Sequence, residues 1–435
     1  MRGPKGEQGV LLLGLRCSTV GGDEGSVHGS ARYRRPPELP ATIRVAWTAP
    51  MLSGYRVVEL AIWVAGPASG GLLADWGADV IKVESPAGDP MRAMFGAIGV
   101  EQDRVPPYEL DNRGKRCVML DLTTDTGKAS MDALLATADV FITNMRPDAL
   151  ERLGFDHESV RARFPRIVYA SVTGYGLHGA DRDRPGYDIG AFWARSSLAH
   201  SMVPTGEYPI PLKSGMGDHI TAVTITTGIL AALLYREKTG EGRLVETSLL
   251  RTGTYVNGWD IGIRSYFGRI ASARTHAQSQ VPLLNCYRAA DGKGFWLIGL
   301  EGDRHWPGLV AALGRPDLRE DERFRSGPAR KKNSETLVAI FDELFASAPR
   351  DEWTARFDEH DVWWSPVNSI ADVLEDPQAE AAGAWVEMPR DPADPAAGTY
   401  RIAASPVTFS DYVQIPGAVH AVGQDTDEVL GALGF

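Results

Sequence analysis

Residues 54–84 read GYRVVELAIWVAGPASGGLLADWGADVIKVE and carry the clearest signal of how this chain folds. Two runs rich in valine and isoleucine, residues 56–62 and 78–84, predict β-strands. The segment between them, residues 67–76, opens on a proline, which favours the first turn of a helix. A tight turn that contains a glycine joins the first strand to this helix. The stretch therefore predicts a βαβ unit, whose two strands run parallel.

The same alternation of strands and helices continues towards residue 250. Further strands are predicted at residues 117–122, 139–144 and 166–172, and helices at 124–136, 148–153 and 157–164. A segment that is apolar almost all round, residues 218–238, is typical of a buried core helix, and a strand at 243–250 follows it. This alternation predicts an α/β fold with a mostly parallel sheet, covered by helices on both faces.

The pattern changes after about residue 270. Residues 285–300 read NCYRAADGKGFWLIGL, which predicts an antiparallel hairpin around Asp291 and Gly292 and, with the helices that follow, a smaller α+β domain. The first fifty residues are rich in glycine, proline and charge, and indicate a disordered extension or an upstream start codon. The predicted divisions are an extension at 1–50, a large domain at 51–240 and a linker at 241–270. The small domain with a return linker follows at 271–375, and residues 376–435 return to the large domain.

Composition limits the partners of the chain. It has 435 residues, 43% hydrophobic and 23% charged, which is ordinary for a soluble globular protein. A net charge of −11 argues against general nucleic-acid binding, and no run approaches the roughly 18 apolar residues of a membrane span. Cys17, Cys117 and Cys286 show no CxxC spacing, which suits a reducing compartment. We therefore predict a cytoplasmic protein with neither a nucleic-acid nor a membrane partner.

Several motifs, in this order, resemble the class III CoA transferases, the formyl-CoA transferase or CaiB/BaiF family, which also includes α-methylacyl-CoA racemases. Besides the opening stretch they are NRGKRCVMLDL (112–122), TNMRPDALERLGFD (143–156), YASVTGYGLHG (169–179), RPGYDIGAFWARS (184–196) and REKTGEGRLVETSLL (236–250). With the weaker matches towards the C-terminus, the resemblance covers about residues 54–435. It implies a Rossmann-like large domain, a smaller domain and a homodimer of two interlocked chains.

The resemblance also implies a reaction. Members of the family move CoA from an acyl-CoA thioester to a carboxylic acid through a covalent intermediate on an enzyme carboxylate, without a permanently bound cofactor. The family aspartate lies in a turn that often resembles TGEPDGPP, and this turn reads TGEYPIP here, at residues 205–211. Glu207 is the nearest carboxylate, so we predict that it is the nucleophile. The competing interpretation is a solvent-facing turn acid.

Residue-by-residue matching gives the positions that would hold CoA. The turn Ala65-Gly66 would orient the thioester with its backbone amides, and Val64 stands where formyl-CoA transferase has a glutamine. The matched CoA-binding positions are Ser85, Asn144, Met145, Arg152 and Thr173. Ser85 replaces an arginine and Thr173 a lysine. Arg92 or Arg146 could compensate for these losses, and Lys115 belongs to the same cationic segment that is predicted to bind CoA.

Two other functions stay open. An acyl-CoA racemase or epimerase would use Asp218, although the histidine of the racemase pair matches Tyr187 here. Helix capping is the simpler interpretation of both Asp188 and Asp218. A non-catalytic acyl-CoA-binding subunit or paralogue would explain the losses at Val64, Ser85 and Thr173. No metal site is predicted, because the nine histidines make neither HxH nor HExxH spacing.

Overall fold

The computed structural model of the chain describes residues 50–100 and 104–435. Except for Pro50, the predicted extension lies outside these residues. The strands of the main sheet are β1 Arg56–Leu60, β2 Asp79–Glu84, β3 Arg116–Met119, β4 Val140–Thr143, β5 Val168–Thr173 and β6 Leu244–Ser248. They lie in the order β3-β2-β1-β4-β5-β6, and every neighbouring pair is parallel. The predicted α/β fold with a parallel sheet is confirmed.

Helices cover both faces of this sheet. In chain order they are α1 Ala65–Asp75, α2 Met94–Ala97, α3 Pro106–Asn112, α4 Asp125–Ala136, α5 Pro147–Leu153, α6 His157–Arg163, α7 Leu198–Ser201 and α8 Met216–Thr239. Successive residues of a strand point to opposite faces. Along β1, Val58 therefore packs with the side chains of α4, α5 and α6, whereas Val57 packs with those of α1 and α8.

The order of the strands creates one switch point. The chain builds outward from β1 through β2 to β3, and then returns to add β4, β5 and β6 on the other side of β1. The loops that follow β1 and β4 therefore leave the sheet in opposite directions and open a crevice at its carboxyl edge. Ligands of open α/β sheets bind in such a crevice.

The predicted linker at 241–270 contains regular structure. Strand β6 extends the parallel sheet by pairing with β5 from Leu244 to Ser248. Two helices complete the segment, α9 Leu249–Val256 and α10 Gly258–Phe267.

A second hydrophobic core forms around a separate antiparallel sheet. Strands β7 Leu284–Arg288, β8 Gly294–Ile298 and β9 Trp364–Val367 pair antiparallel in that order. The surrounding helices are α11 Gly302–Ala312, α12 Asp317–Glu320, α13 Gly327–Lys332, α14 Ser334–Phe345 and α15 Arg350–Glu359. Aromatic side chains fill the space between sheet and helices, among them Tyr287, Phe295, Phe345 and Trp353. The predicted hairpin turns at Gly292, whose φ of 78° suits glycine.

The C-terminal segment returns to the large sheet. It comprises α16 Ile370–Leu374, α17 Pro377–Ala381, the hairpin β10 Trp385–Pro389 and β11 Thr399–Ala403, and α18 Thr426–Gly431. The amide of Cys117 donates to Asp425 Oδ2 at 2.6 Å, and the amide of Met119 donates to Thr426 Oγ1 at 3.0 Å. These bonds hold the start of α18 against β3.

Helix α8 is the longest helix in the described part of the chain and the one helix there that is long and apolar enough to cross a membrane. Its most apolar 18-residue window has a mean hydropathy of 1.3, and 44% of that window is buried inside the protein. The Thr226 hydroxyl lies 2.9 Å from that of Ser69 on α1, a contact made within the fold. Burial against α1 and the sheet accounts for the apolar residues on one side of α8, such as Ile225 and Ile229, whereas Val223 and Leu234 are exposed.

Candidate active site

A cleft of about 570 Å³ opens at the switch point. Its walls come from the loops after β1, β4 and β5 and from the first turn of α8. Of the residues predicted to act on the substrate, the lining includes Val64, Ala65, Asn144, Met145, Arg146, Arg152, Thr173 and Asp218. The structure therefore brings most of the predicted site together, as expected for residues at the carboxyl ends of neighbouring parallel strands.

The cleft loop, residues 61–67, runs from the end of β1 into the first turn of α1 and forms one wall. Asn144, the residue after β4, forms two hydrogen bonds with the backbone of this loop. Its Oδ1 accepts from the amide of Ile62 at 3.0 Å, and its Nδ2 donates to the Ile62 carbonyl at 2.6 Å. The next amide, that of Trp63, donates to Asp89 Oδ1 at 3.1 Å. These bonds hold Trp63 at a φ of 65°, a left-handed conformation that costs about 1–3 kcal/mol outside glycine.

The first turn of α1 presents backbone amides at the cleft wall. Val64 is the N-cap of this 11-residue helix and supplies no side-chain cap, so the first amides have no partner on that residue's side chain. A helix N-terminus attracts negative charge and can stabilise a developing oxyanion. Gly66 lies directly behind, where a Cβ would stand 2.6 Å from Cβ of Ala61. Only glycine therefore allows this close passage of the loop.

Two aspartates stand together beside the cleft. Asp188 precedes the π-helical turn Ile189–Ala194, and its carboxylate accepts from the amides of Ile189 at 2.7 Å and Gly217 at 3.3 Å. Asp218 lies in the first turn of α8 and lines the cleft. Burial, followed by the negative charge of Asp188, raises the pKa of Asp218 to about 7. Asp188 is therefore a carboxylate bound by two backbone amides, and its neighbour Asp218 takes up a proton near neutral pH.

A histidine–aspartate pair adjoins this turn. Nε2 of His219 lies 3.0 Å from Oδ1 of Asp111, which is buried on α3. Burial opposes the charged imidazole, but the bond to Asp111 outweighs it, and the pKa of His219 is raised. Sequence analysis did not predict this pair, because its members are 108 residues apart.

Cations gather at the rim of the cleft. Arg146 is the N-cap of α5, Arg152 lies in the last turn of that helix, and Arg182 and Arg184 come from the loop after β5. Arg182 is already paired with Asp148, Glu151 and Asp183 at 2.7–2.8 Å. Within residues 50–100 and 104–435, neither Arg146 nor Arg152 forms an ion pair. These two guanidinium groups are therefore the available contacts for an anionic ligand.

Three residues predicted to bind CoA lie away from the cleft lining. Ser85 is exposed just after β2. Arg92 makes a bidentate contact with the buried Glu84, at 2.8–3.1 Å, and stacks over the ring of Tyr108. Lys115 is buried, with its ammonium on Glu59 at 2.7 Å. Each arginine or lysine of this group already has a carboxylate partner, and its assignment to CoA stays a prediction without support from its position.

Glu207 also lies outside the cleft lining. It is exposed in a turn where its own amide donates to the carbonyl of Pro204 at 3.1 Å. The side chain of Glu207 is in contact with solvent. Its nucleophilic role stays a prediction. Gly186 and Tyr187 of the PGYD motif line the cleft wall, and the next residue, Asp188, is buried outside the lining.

The described ranges, which leave out 1–49 and 101–103, hold no group of three or more His, Cys, Asp or Glu residues arranged to bind a metal ion. The cleft itself presents carboxylates, backbone amides and guanidinium groups. Its position and its charges define a class of site, namely an α/β switch-point cleft for an anionic ligand.

Comparisons with known proteins narrow this class. The chain is 31% identical to the (R)-2-hydroxy-4-methylpentanoate CoA-transferase of Clostridioides difficile, over 88% of this chain and 96% of that protein. It is 32% identical to the cinnamoyl-CoA:phenyllactate CoA-transferase of Clostridium sporogenes, over 88% of this chain and 94% of that protein. The crystal structure of a CAIB/BAIF family protein from Brucella suis matches with a TM-score of 0.77 at 30% identity, over 88% of this chain and 100% of that one.

The family itself follows from these matches. Residues 52–426 match the sequence model of CoA-transferase family III. The chain therefore belongs to CoA-transferase family III, as its motifs predicted. The curated relatives are CoA-transferases, so transfer of CoA is the general reaction that the family supports here.

Proposed function

We propose that this protein transfers CoA from an acyl-CoA thioester to a carboxylic acid, and that Asp188 is the carboxylate that carries CoA between them. The observation that carries the proposal is the Asp188–Asp218 pair beside the cationic cleft. Two backbone amides stabilise the charge of Asp188, which a nucleophilic carboxylate requires. The exposed Glu207 has no such support.

The transfer balances over four steps. A carboxylate oxygen of Asp188 attacks the thioester carbonyl, which forms a mixed anhydride and expels CoA as its thiolate. The thiolate then attacks the aspartyl carbonyl, which forms an enzyme–CoA thioester and releases the donor acid. The acceptor carboxylate attacks this thioester and again gives an anhydride and free thiolate. Attack of the thiolate on the acceptor carbonyl yields the new acyl-CoA and restores Asp188.

The cleft supplies two further groups to these steps. The amides of Val64 and Ala65, at the start of α1, stabilise the oxyanion that each attack creates. Arg146 and Arg152 hold the phosphates of CoA at the rim. The donor and acceptor acids are also anions, so the positive charge at the rim of the cleft favours their entry.

The substrate acids are apolar and larger than formate. The rings of Trp63 and Tyr187 meet edge to face at 5.9 Å over the cleft, and Met145 and Leu249 add apolar wall. Two relatives carry names with comparable acids, 2-hydroxy-4-methylpentanoate and cinnamate or phenyllactate. An aromatic or branched acyl group fits such a wall better than a small polar one.

A homodimer is part of the proposal. Helices α9 and α10 expose apolar side chains that a monomer would leave in water, with Tyr255 at 87%, Trp259 at 89% and Tyr266 at 84% exposure. A second copy of the chain covers this face. Size-exclusion chromatography with light scattering should give twice the mass of the chain, and Trp259→Asp should shift it towards the monomer.

A racemase is the second candidate, because Asp218 lines the cleft and its pKa of about 7 suits proton transfer at the substrate α-carbon. One experiment separates the candidates. The protein is incubated with mixed acyl-CoAs and carboxylic acids in deuterated water, and the CoA products are identified by mass spectrometry. New acyl-CoAs support the transferase. Deuterium at the α-carbon in a parallel incubation that contains no acceptor acid supports the racemase. Binding without either product supports a non-catalytic paralogue.

A further inference from the structure

Two buried lysines hold the two ends of the cleft loop. Nζ of Lys82, on β2, donates to the carbonyl of Ala61 at 2.9 Å, where the loop begins. Nζ of Lys115 donates to the carbonyl of Pro67 at 2.7 Å, where the loop ends. Both lysines meet on Glu59, a buried residue of β1, at 3.0 and 2.7 Å. Glu59, Lys82 and Lys115 therefore form one buried charge cluster that holds both ends of the loop.

The ammonium group of Lys115 uses all of its donors. It has three N–H bonds and contacts three acceptors, Oε2 of Glu59, the carbonyl of Pro67 and Oδ1 of Asn112, at 2.7, 2.7 and 3.0 Å. Such full use matters because a buried polar group without a partner costs about 1–3 kcal/mol. One of these acceptors is the backbone of the loop itself, so Lys115 acts on the position of the loop.

We propose that Lys115 is a positioning residue for CoA transfer: its bond to Pro67 keeps the first turn of α1 where its amides meet the thioester. This inference rests on the proposed function. The loop needs such a support, since Trp63 is held in a left-handed conformation that would relax if the anchors loosened. A displacement of about 1 Å at a reacting group lowers a rate by about 100-fold.

The protonation state of Lys115 controls this anchor. Burial lowers its pKa to about 8, assisted by the positive charge of Lys82 and opposed by the negative charges of Glu59 and Asp111. Glu59 faces it from β1, Lys82 from β2 and Asp111 from α3, and Asp111 is itself bonded to His219 of α8. A neutral amine keeps two N–H bonds for three acceptors. The carboxylate of Glu59 retains one of them, and the anchor on Pro67 weakens.

The effect on stability has the opposite sign, which separates positioning from unfolding. The pKa of Lys115 in the folded protein lies below its ordinary value, so between about pH 8 and 10.5 the unfolded chain binds more protons. The contribution of this lysine to stability therefore rises with pH over that window. A loss of activity there cannot come from Lys115 through unfolding.

The test compares wild type with Lys115→Met and Asn112→Asp across pH 6–10. In wild type, kcat should fall as pH passes about 8, while the KM for acyl-CoA changes less than about twofold. Lys115→Met should lower kcat by about 10- to 100-fold at pH 7 and remove the alkaline limb. Asn112→Asp adds a carboxylate beside the ammonium group, so the limb should move upward by about one pH unit or more.

Hydrogen exchange gives a readout that needs no turnover. After correction for intrinsic exchange, the peptide that covers residues 61–67 should lose protection in wild type above pH 8, and in Lys115→Met at every pH. Wild-type protection in Lys115→Met, or an unchanged alkaline limb in Asn112→Asp, would overturn the inference. A wild type without any CoA transfer would instead overturn the proposed function, and the exchange of the loop would still test Lys115.

Discussion

The amide of Gly217 donates to Oδ2 of Asp188 at 3.3 Å, and this bond joins the PGYD motif to the first turn of α8. A Cβ at Gly217 would stand 2.6 Å from the ring of Phe192 and 2.9 Å from Cβ of Asp188, so glycine permits the approach. The next residue, Asp218, lines the cleft. The contact therefore explains how two aspartates that are 30 positions apart in the sequence become one carboxylate pair.

The proton on Asp218 should control binding of the acceptor acid. Its pKa is raised to about 7, so the group is neutral below that pH and negative above it. A negative Asp218 repels the carboxylate of the acceptor. We expect the KM for the acceptor to rise severalfold from pH 6 to pH 8 in wild type. Asp218→Asn should make this KM independent of pH, and a retained pH dependence would contradict the assignment.

The guanidinium groups of Arg146 and Arg152, which form no ion pair with any residue that the structure describes, should bind the phosphates of CoA. A charge-assisted hydrogen bond contributes about 1.5–3 kcal/mol, so Arg146→Ala and Arg152→Ala should each raise the KM for acyl-CoA by about 10- to 100-fold. Their effect should shrink at high salt. Arg161→Ala, on the exposed surface of α6, is the matched control and should leave the KM unchanged. Equal effects of all three substitutions would exclude a specific phosphate site.

The aromatic pair at the cleft should select bulky acyl groups. Tyr187→Ala removes the edge-to-face contact with Trp63, which contributes about 0.5–1.5 kcal/mol in such pairs. We expect kcat/KM to fall by about threefold to tenfold for a phenyl-substituted acyl-CoA, and to change little for acetyl-CoA. Tyr187→Phe keeps the ring and should keep the preference. Parallel losses with both donors would point to a general distortion of the cleft.

Glu59 should stabilise the fold at neutral pH and less in acid. Burial opposes its charge, but Lys115 and Lys82 outweigh this, and its pKa is lowered. A group with a lowered folded pKa contributes stability above its unfolded value, and this contribution is lost as pH falls through the folded value. Glu59→Gln should cost about 3–5 kcal/mol in urea unfolding at pH 7, because it leaves two buried ammonium groups without their shared partner.

A matched control accompanies that measurement. Glu151→Gln removes an exposed partner of Arg182 and should cost less than about 1 kcal/mol. The difference between Glu59→Gln and wild type should shrink below about pH 4.5, where the unfolded glutamate becomes protonated. A difference that stays constant down to pH 3 would show that packing, and not charge, is the cause.

The sequence predicted the parallel sheet because its strands follow from local patterns: valine-rich runs alternate with helices. The positions of Asn144 and Arg152 came from the family resemblance, and both line the cleft, where the carboxyl ends of neighbouring strands meet. The strand at 243–250 was also predicted, but its pairing with β5 is a contact over 75 residues that no local pattern encodes.

Charged residues were harder to interpret, since a cation for a ligand and a cation for a buried carboxylate look alike in a sequence. Arg92 and Lys115 were predicted to bind CoA, yet their partners are Glu84 and Glu59. Glu59 is 56 residues from Lys115, so the pairing becomes visible only when β1 and the end of α3 come together. Asp188 was interpreted as a helix cap, which its bond to the amide of Ile189 also supports.

Trapping of the covalent intermediate tests the central proposal most directly. The protein is incubated with an aromatic acyl-CoA, treated with hydroxylamine or borohydride, digested and examined by mass spectrometry. We expect the modification on the peptide that contains Asp188, and its loss in Asp188→Asn but not in Glu207→Gln. A modified Glu207, or an unmodified Asp188 in a preparation that transfers CoA, would contradict the proposal.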